Sequence, residues 1–347
     1  MRVTLFALTA GLLPVLVQAH HSVAGFFNPR DKIEIAGTVT EIVWRNPHTE
    51  FRIDVTDEDG AVTAWRVETG ALAVLRARGL LREFLYVGDD VQVYGDATYD
   101  GRSEVFAHNL LLSDGKEVML TVGSSEHFSR GGDAELLESI YDEEIIETAR
   151  RDADGIFRVW SSDLDARRLG ARPRLLSNLP VLPEAEASRE GWDLSDEAFL
   201  GCTQWTMPRL MSNPLPMEFV REGENVLLRF EEDDSRRLIH VNADNSSVPD
   251  EFTPMGYSTG YWDGEALVVE TTNISSDVLD ELGTKASSEL RLIERFTAVD
   301  DGSRLVYELT LTDPNTFSEP YQTGREWTWR PEIVVGYYGC NEEQLFQ

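Results

Sequence analysis

The sequence predicts a mainly β protein with a small N-terminal barrel of the oligonucleotide-binding type and a C-terminal antiparallel β-barrel or strongly curved meander sheet, joined by an acidic helical linker. Three observations lead to this prediction. Short apolar runs alternate with polar residues in both halves of the chain, which is the period of strands with one buried face. Asp-Gly and related turn sequences separate these runs, as they do in hairpins. One segment of the N-terminal third has helical spacing instead.

The N-terminal barrel is predicted between residues 20 and 121 from the order of its elements. Apolar alternation gives three strands before residue 71 and two or three strands after residue 81. Residues 71–81 carry helix formers with apolar side chains at helical spacing. This order is typical of the five-stranded oligonucleotide-binding barrel. The fold does not fix the ligand, because unrelated functions share it.

The linker and the C-terminal domain follow this barrel. The linker is predicted at residues 122–154, with an acidic amphipathic helix over residues 134–146. The C-terminal domain is predicted to occupy residues 155–347, and about eight apolar runs after residue 217 are its strands, the last at residues 333–338. Hairpin turns between many of these runs favour a meander that closes into a barrel, because closure removes exposed strand edges.

Residues 1–19 are predicted to be a secretory signal peptide. Arg2 gives the positive start, an apolar stretch follows, and Val17-Gln18-Ala19 is the small-x-small pattern that signal peptidase cleaves. We therefore expect a periplasmic or secreted protein whose mature chain begins at His20. No later window reaches the roughly 18 to 20 apolar residues that cross a bilayer, so no membrane insertion is expected.

The two cysteines, Cys202 and Cys340, are predicted to form a disulfide. An exported protein meets an oxidising compartment, where a lone pair of cysteines is more often bridged than used for metal or redox chemistry.

The charge balance excludes one class of partner. The chain has 31 Lys and Arg against 62 Asp and Glu, which gives a formal net charge of −31. Nucleic acids are bound by Lys and Arg that displace counterions from phosphates, so no nucleic-acid partner is expected. The sequence also lacks a P-loop, a Gly-x-Ser-x-Gly elbow and a His-Glu-x-x-His motif, which disfavours the common enzymes that carry them.

The histidines form the first candidate site. Cleavage after residue 19 would give His20 a free amine beside its imidazole, and His48 would add a third nitrogen, with His21 or His108 as a further or alternative ligand. Amine and imidazole nitrogens in this number suit Cu(II), so copper is the candidate cofactor. The alternative is a solvated terminus at His20 and His21, with His48 turning the chain after Pro47.

Polar and aromatic residues of the C-terminal domain form the second candidate site. Carboxylates that face an apolar barrel have raised pKa values and can act as general acids in isomerisation, hydration or cyclisation. The candidate catalytic residues are Glu218, Arg236, Asp244 and Glu294, and the candidate ligand-binding residues are Tyr257, Tyr261, Trp262 and Trp327. The alternative is structural, because Glu and Arg on strands usually face solvent and an arginine paired to a carboxylate inside a barrel is often part of the core.

Two sets of motifs carry a resemblance to known families. The first comprises His20-His21-Ser22, Gly37-Thr38-Val39 and Trp44-Arg45-Asn46-Pro47-His48. It resembles a bacterial family of exported proteins of unknown function over roughly residues 20–120. The second resembles another uncharacterised secreted bacterial family, and its motifs are Cys202, Met207-Pro208-Arg209, Pro214 with Glu218, Arg236-Arg237, Gly256-Tyr257-Ser258, Gly260-Tyr261-Trp262, Gly264, Leu267-Val268-Val269, Glu294-Arg295-Phe296, Asp313-Pro314 and Cys340.

These resemblances imply export and a division into two domains, and neither implies an activity. The second pattern also has a departure, because residues 242–245 read Asn-Ala-Asp-Asn where that family has Asp-Gly-Arg and His-Pro.

Three functions stay open at this point. The main expectation is an exported protein that binds a small apolar or aromatic molecule in its C-terminal β domain. The second is an enzyme, either copper-dependent at His20 and His48 or an acid/base isomerase, hydratase or cyclase in the C-terminal barrel. The third is an acidic envelope protein without a small ligand. The sequence does not indicate the oligomeric state.

Overall fold

The computed structural model describes residues 23–46, 48–80, 82–132, 134–162, 175–192, 204–243, 248–275, 278–280 and 282–339 of the chain. The mainly β fold class is confirmed, with a β domain in each half. Predictions for His20, His21, Cys202, Asp244 and Cys340 lie outside the described residues.

The N-terminal domain is a small barrel. Its helices are α1 (Val23–Phe26) and α2 (Leu72–Ala77), and its strands are β1 (Phe27–Val43), β2 (Glu50–Thr56), β3 (Val62–Glu68), β4 (Asp90–Thr98), β5 (Glu104–Leu112), β6 (Lys116–Met119) and β7 (Glu135–Leu136). The sheet order is β3-β2-β1-β4-β5-β6-β7, and β3 also pairs in parallel with β5. This pairing closes the first five strands, with α2 between β3 and β4, as predicted for the oligonucleotide-binding type.

The interior of this barrel is apolar and closely filled. Leu75 of α2 and side chains from four strands are fully buried there, among them Ile53, Val67, Val93 and Leu110. The alternation that predicted the strands therefore marks the interior face.

The linker differs in part from its prediction. Its helix is α3 (Glu143–Asp152), which begins where the Asp142 carboxylate accepts hydrogen bonds from the amides of Glu144 and Ile145. Residues 135–136, which were predicted to lie near the start of this helix, form strand β7 instead. The Ile140 amide donates to the Gly79 carbonyl at 3.0 Å, so this stretch bonds to the barrel and not to its own previous turn.

The C-terminal domain is a closed barrel of nine strands. Its helix is α4 (Pro183–Glu186), and its strands are β8 (Val159–Ser161), β9 (Met217–Glu222), β10 (Asn225–Phe230), β11 (Arg236–Val241), β12 (Tyr257–Asp263), β13 (Ala266–Thr272), β14 (Arg291–Val299), β15 (Arg304–Thr312) and β16 (Tyr321–Trp329). The order is β10-β11-β12-β13-β14-β15-β16-β8-β9, and β9 pairs with β10 to close the ring.

Two details correct the predicted meander. Strands β11 and β12 are parallel, so β12 begins at the same end of the barrel as β11 and the two strands do not form a hairpin. Residues 333–338 form no strand. The Tyr338 amide donates to the Asp234 carboxylate at 2.9 Å and the Gly336 amide donates to the Glu231 carboxylate at 3.0 Å, so these amides do not join a ladder.

The two domains contact each other through α2. Ala73 and Val74 pack against Leu215 and Tyr338 in a small apolar cluster. Beside it, Arg76 forms an ion pair with the fully buried Glu231 of the C-terminal domain. None of the helices in the described ranges is long and apolar enough to span a membrane.

Candidate functional site

His48 occupies a defined position at the edge of the N-terminal barrel. It lies between β1 and β2, and its Nδ1 donates a hydrogen bond of 2.9 Å to the carbonyl oxygen of Thr69. The carboxylate of Glu68 is 3.8 Å from the same nitrogen. The side chain keeps 23% of its surface exposed, so the ring is bonded through Nδ1 without being completely enclosed. The opposite nitrogen, Nε2, is then the free ligand atom.

Asn46, two residues before His48, fixes the loop that carries it. Its amide nitrogen donates to the Tyr338 carbonyl at 3.0 Å, and its amide oxygen accepts from the Leu72 amide at 2.9 Å. The second bond supplies a partner to the first turn of α2, whose own N-cap residue makes no side-chain bond. One side chain therefore joins the histidine loop, α2 and the C-terminal domain.

Carboxylates surround the fixed side of His48. Burial raises the pKa of Glu68, while the charges of His48 and Arg66 act in the opposite direction. Arg66 lies within 3.6 Å of Glu68 and donates to Glu50 at 3.0 Å and to Glu104 at 3.3 Å. One guanidinium is thus shared by three carboxylates, which leaves this face of the barrel negatively charged and attractive to cations.

Phe106 brings the start of the described chain to the same face. Its ring centroid lies 6.1 Å from that of His48 and 5.6 Å from that of Phe27, at the beginning of β1. Phe26 packs edge-on against Phe27, and the three phenylalanines form a cluster separate from the barrel core. The chain therefore enters the described structure beside His48.

His108 is close to this face but is already committed to other bonds. Its Nδ1 is 3.0 Å from the Thr121 hydroxyl, and its Nε2 is 3.0 Å from the Asp96 carboxylate and 3.0 Å from the Lys32 ammonium. Burial opposes the ionisation of Asp96, but hydrogen bonds from His108 and Lys32 outweigh it and lower its pKa. This arrangement favours a structural role for His108.

Within the described ranges, no three His, Cys, Asp or Glu side chains are grouped as a metal site.

The interior of the C-terminal barrel contains a buried ion pair. Arg237 and Glu294 are almost completely inaccessible, and both Nη atoms of Arg237 donate to the Glu294 carboxylate. Arg237 also donates to Ser258 at 2.9 Å and to Thr271 at 2.5 Å, and the Tyr307 hydroxyl donates to Glu294 at 2.9 Å. Each of these groups has protein partners, as a structural network requires.

The other predicted catalytic residues do not join Glu294. Arg236 is exposed on the outer face, so Arg237 is the interior arginine. Glu218 lies on the opposite face of its strand from the buried Phe219 and pairs with Arg229. Burial raises the pKa of Glu218, and Arg229 acts against that rise.

The four predicted ligand-binding aromatics also lie apart. Trp327 is buried in the core, 5.4 Å from the Tyr307 ring. Tyr261 is 54% exposed, and Trp262 is 39% exposed beside the turn that ends β12. Tyr257 stacks on His240 with ring centroids 4.7 Å apart. Large buried side chains fill the interior that these residues were expected to line, among them Trp160, Phe219, Leu228, Phe296, Tyr307 and Leu309.

An acidic cluster at residues 231–234, in which Glu231 and Glu232 are buried, was not predicted. Burial and the charge of Asp233 raise the pKa of Glu232 to about 8. Burial raises the pKa of Asp233 to about 6, and its carboxylate accepts from the Trp205 amide at 3.1 Å. Four consecutive acids resemble an exposed turn, so the sequence contains no signal of this burial. The cluster anchors the tail at residues 333–339 against the barrel.

Comparison with protein families gives a match in the N-terminal half of the chain. Residues 12–106 match a protein family described as a family of unknown function, DUF6152. The N-terminal region thus resembles an uncharacterised family. The matched residues include His20, His21 and His48, and they end inside β5. No curated protein matches the chain. The resemblance of the C-terminal domain to a second family stays a prediction.

Proposed function

We propose that the protein is an exported copper-binding protein, in which His48 and the histidines of the mature N-terminus hold one Cu(II) ion. The orientation of His48 is the observation that carries this proposal. Its Nδ1 donates to the Thr69 carbonyl, so Nε2 is the ring nitrogen with a lone pair for a metal. Histidines that bind metals usually donate their other ring N–H to a carbonyl or carboxylate, which fixes the ring and raises its basicity.

The distance from His48 to the N-terminal histidines supports the proposal. The Phe27 and His48 rings both contact Phe106, so their centroids are no farther apart than the sum of the two contact distances, 5.6 and 6.1 Å. His21 precedes Phe27 by six residues. Residues 23–26 form α1, which rises about 1.5 Å per residue, and the two steps from Val23 to His21 add up to about 7 Å, so the chain reaches about 13 Å from Phe27. The chain from Phe27 is therefore long enough for His20 and His21 to meet His48.

The chemistry of the ligands favours copper over other metals. A free terminal amine and imidazoles provide nitrogen ligands, and Cu(II) has the highest affinity among the divalent first-row metals for such sites. The carboxylates around Arg66 add a negative field without competing as a complete ligand set.

This proposal takes precedence over the predicted small-ligand site in the C-terminal barrel. Buried side chains fill the described interior of that barrel, and its polar groups are bonded to one another. The copper site needs no such cavity.

The experiment is a copper-retention assay on protein purified after export, with its first residue confirmed by mass spectrometry. A slight excess of Cu(II) is added and unbound metal is removed by desalting. We expect close to one copper per chain, and loss of most of it in His48→Ala. The matched control is His240→Ala, which removes a histidine from the C-terminal domain and should retain copper. Equal retention in His48→Ala, or no retention by the mature protein, would contradict the proposal.

A further inference from the structure

The loop between β1 and β2, which carries His48, is bonded to both domains. His48 donates to the Thr69 carbonyl, and Thr69 lies three residues before Leu72, the first residue of α2. Asn46 of the same loop is buried, and its side chain accepts from the Leu72 amide at 2.9 Å and donates to the Tyr338 carbonyl at 3.0 Å. The position of the proposed copper ligand therefore depends on α2 and on the tail of the C-terminal domain.

The acidic cluster at residues 231–234 holds both of these segments. Glu231 forms an ion pair with Arg76 of α2, and Asp234 accepts from the Tyr338 amide at 2.9 Å. Glu231 is fully buried, so movement of α2 away from the C-terminal domain would leave its carboxylate without the guanidinium, which is unfavourable. The cluster thus fixes α2 and the tail in the positions at which the side chain of the histidine loop can bond to both.

The contact between the domains is limited. Its apolar part in the described ranges consists of small side chains of α2 packed against Leu215 and Tyr338. Beside it, a cleft of about 450 Å³ separates the end of α2 from the end of β16, with Arg78 and Arg330 in its lining. Domain contacts of this kind resemble transient protein interfaces, so relative movement of the domains is expected. A modest change in free energy is then enough to shift the docking equilibrium.

We propose that copper binding at His48 and docking of the two domains are coupled, and that Asn46 is the positioning residue that joins them. This inference rests on the proposed copper site. Copper fixes the histidine loop in the geometry in which Asn46 reaches Tyr338, and docking fixes the same loop for copper. Such coupling is reciprocal, because each equilibrium must shift the other by the same factor.

The coupling gives the C-terminal domain a role in copper handling. A domain whose own interior is filled can still control the metal by holding or releasing the loop that carries His48. An event that separates the domains lowers the copper affinity of the site and releases the ion. Coupling factors between two sites in one protein are typically about 5-fold to 150-fold, which is enough to change retention of a metal.

The first measurement is the copper affinity of the mature protein, determined by competition with a chelator. Arg76→Gln removes the charge that pairs with Glu231 across the boundary, at a side chain that is 38% exposed. We expect it to weaken copper binding about tenfold with the stoichiometry retained. Arg291→Gln breaks a pair with Glu270 inside the C-terminal domain and is the matched control. It should leave the copper affinity unchanged.

The second measurement is hydrogen exchange at the tail, with and without copper. The amides of Gly336 and Tyr338 donate to carboxylates of the acidic cluster, so their exchange reports on docking. We expect copper to slow their exchange about tenfold in the wild-type protein and to have no effect on it in His48→Ala or Asn46→Ala. The amide of Leu309 in β15 is the internal reference and should not change. A side chain that only stabilised its own loop would not make tail exchange depend on copper.

These results separate the coupling from the copper site itself. If copper is retained but does not change tail exchange in the wild-type protein, the coupling is wrong and the copper site stands. Equal copper affinity in Arg76→Gln and Arg291→Gln has the same meaning, and both results apply even if Asn46→Ala fails to fold. No copper retention by the wild-type protein would overturn both proposals.

Discussion

The Nδ1 of His48 donates a 2.9 Å hydrogen bond to the carbonyl oxygen of Thr69. This bond fixes the tautomer of the ring, because a carbonyl only accepts, and it leaves Nε2 as the atom that can bind a metal. The buried carboxylate of Glu68 lies 3.8 Å away from the bonded nitrogen and reinforces the same orientation. The copper proposal depends on this geometry.

The role of Glu68 can be tested separately from that of the ligands. Glu68→Gln keeps the size of the side chain and removes the charge behind His48. We expect a loss of copper affinity between about tenfold and a hundredfold with the stoichiometry retained, as for other residues that support metal ligands. Competition with a chelator of known affinity measures it. Glu41→Gln, on the exposed side of β1, is the control, and equal effects of the two variants would exclude a specific role for Glu68.

The Arg237–Glu294 pair should contribute to stability and not to copper binding. Glu294→Leu leaves Arg237 buried without its carboxylate, which should lower the free energy of unfolding by about 3 to 5 kcal/mol. The double variant Arg237→Met, Glu294→Leu should be more stable than Glu294→Leu alone, because it buries no unpaired charge. Urea unfolding measures these differences. A double variant that is less stable than the single one would contradict a purely structural role.

Stability should also depend on Glu232 in a defined pH window. Its pKa rises from 4.5 in the unfolded chain to about 8 in the folded protein, because burial and Asp233 disfavour its charge. The folded protein then binds the proton more tightly, so this group stabilises the fold below pH 4.5 and its contribution is lost as the pH rises to about 8. Between these two pH values, the contribution of Glu232 to the free energy of unfolding decreases by up to about 1.4 kcal/mol per pH unit.

The measurement compares urea unfolding of the wild-type protein and Glu232→Gln across this window. The variant has no charge to bury, so its stability should fall less with rising pH than that of the wild-type protein. Glu222→Gln, at an exposed end of β9, controls for the change in net charge. Parallel pH profiles for the wild-type protein and Glu232→Gln would show that the buried carboxylate does not titrate as argued.

Most strands with an apolar interior face were predictable, whereas the short β8 and the strand β12, whose interior face is polar, were not. Alternating Val and Leu side chains identify β13 and β15 in the sequence. The β12 strand was missed because its interior positions are Ser258 and Gly260. Ser258 accepts from Arg237, and a side chain at Gly260 would meet Ile239 at 2.9 Å. The buried Arg237–Glu294 pair therefore requires small or polar residues on the interior face of β12. A search for alternating apolar residues does not detect such a strand.

The candidate sites were predictable to a similar extent. The motif at residues 44–48 identified His48 as a candidate site residue, and the structure places this histidine beside Glu68. The motif lies between two strands that the apolar alternation predicts. The acidic cluster at residues 231–234 and the cleft between the domains depend on how distant segments pack. Arg78 and Arg330 both line this cleft but are far apart in the chain, and local sequence patterns contain no information on such a pairing of distant segments.

Electron paramagnetic resonance of the copper-loaded mature protein tests the central claim most directly. The account predicts one type of Cu(II) with hyperfine structure from about three nitrogen ligands, the terminal amine and two imidazoles. His48→Ala should lose one imidazole nitrogen from this spectrum, and His240→Ala should leave it unchanged. A spectrum of oxygen ligands alone, or the same nitrogen pattern in His48→Ala and the wild-type protein, would contradict the copper site at His48.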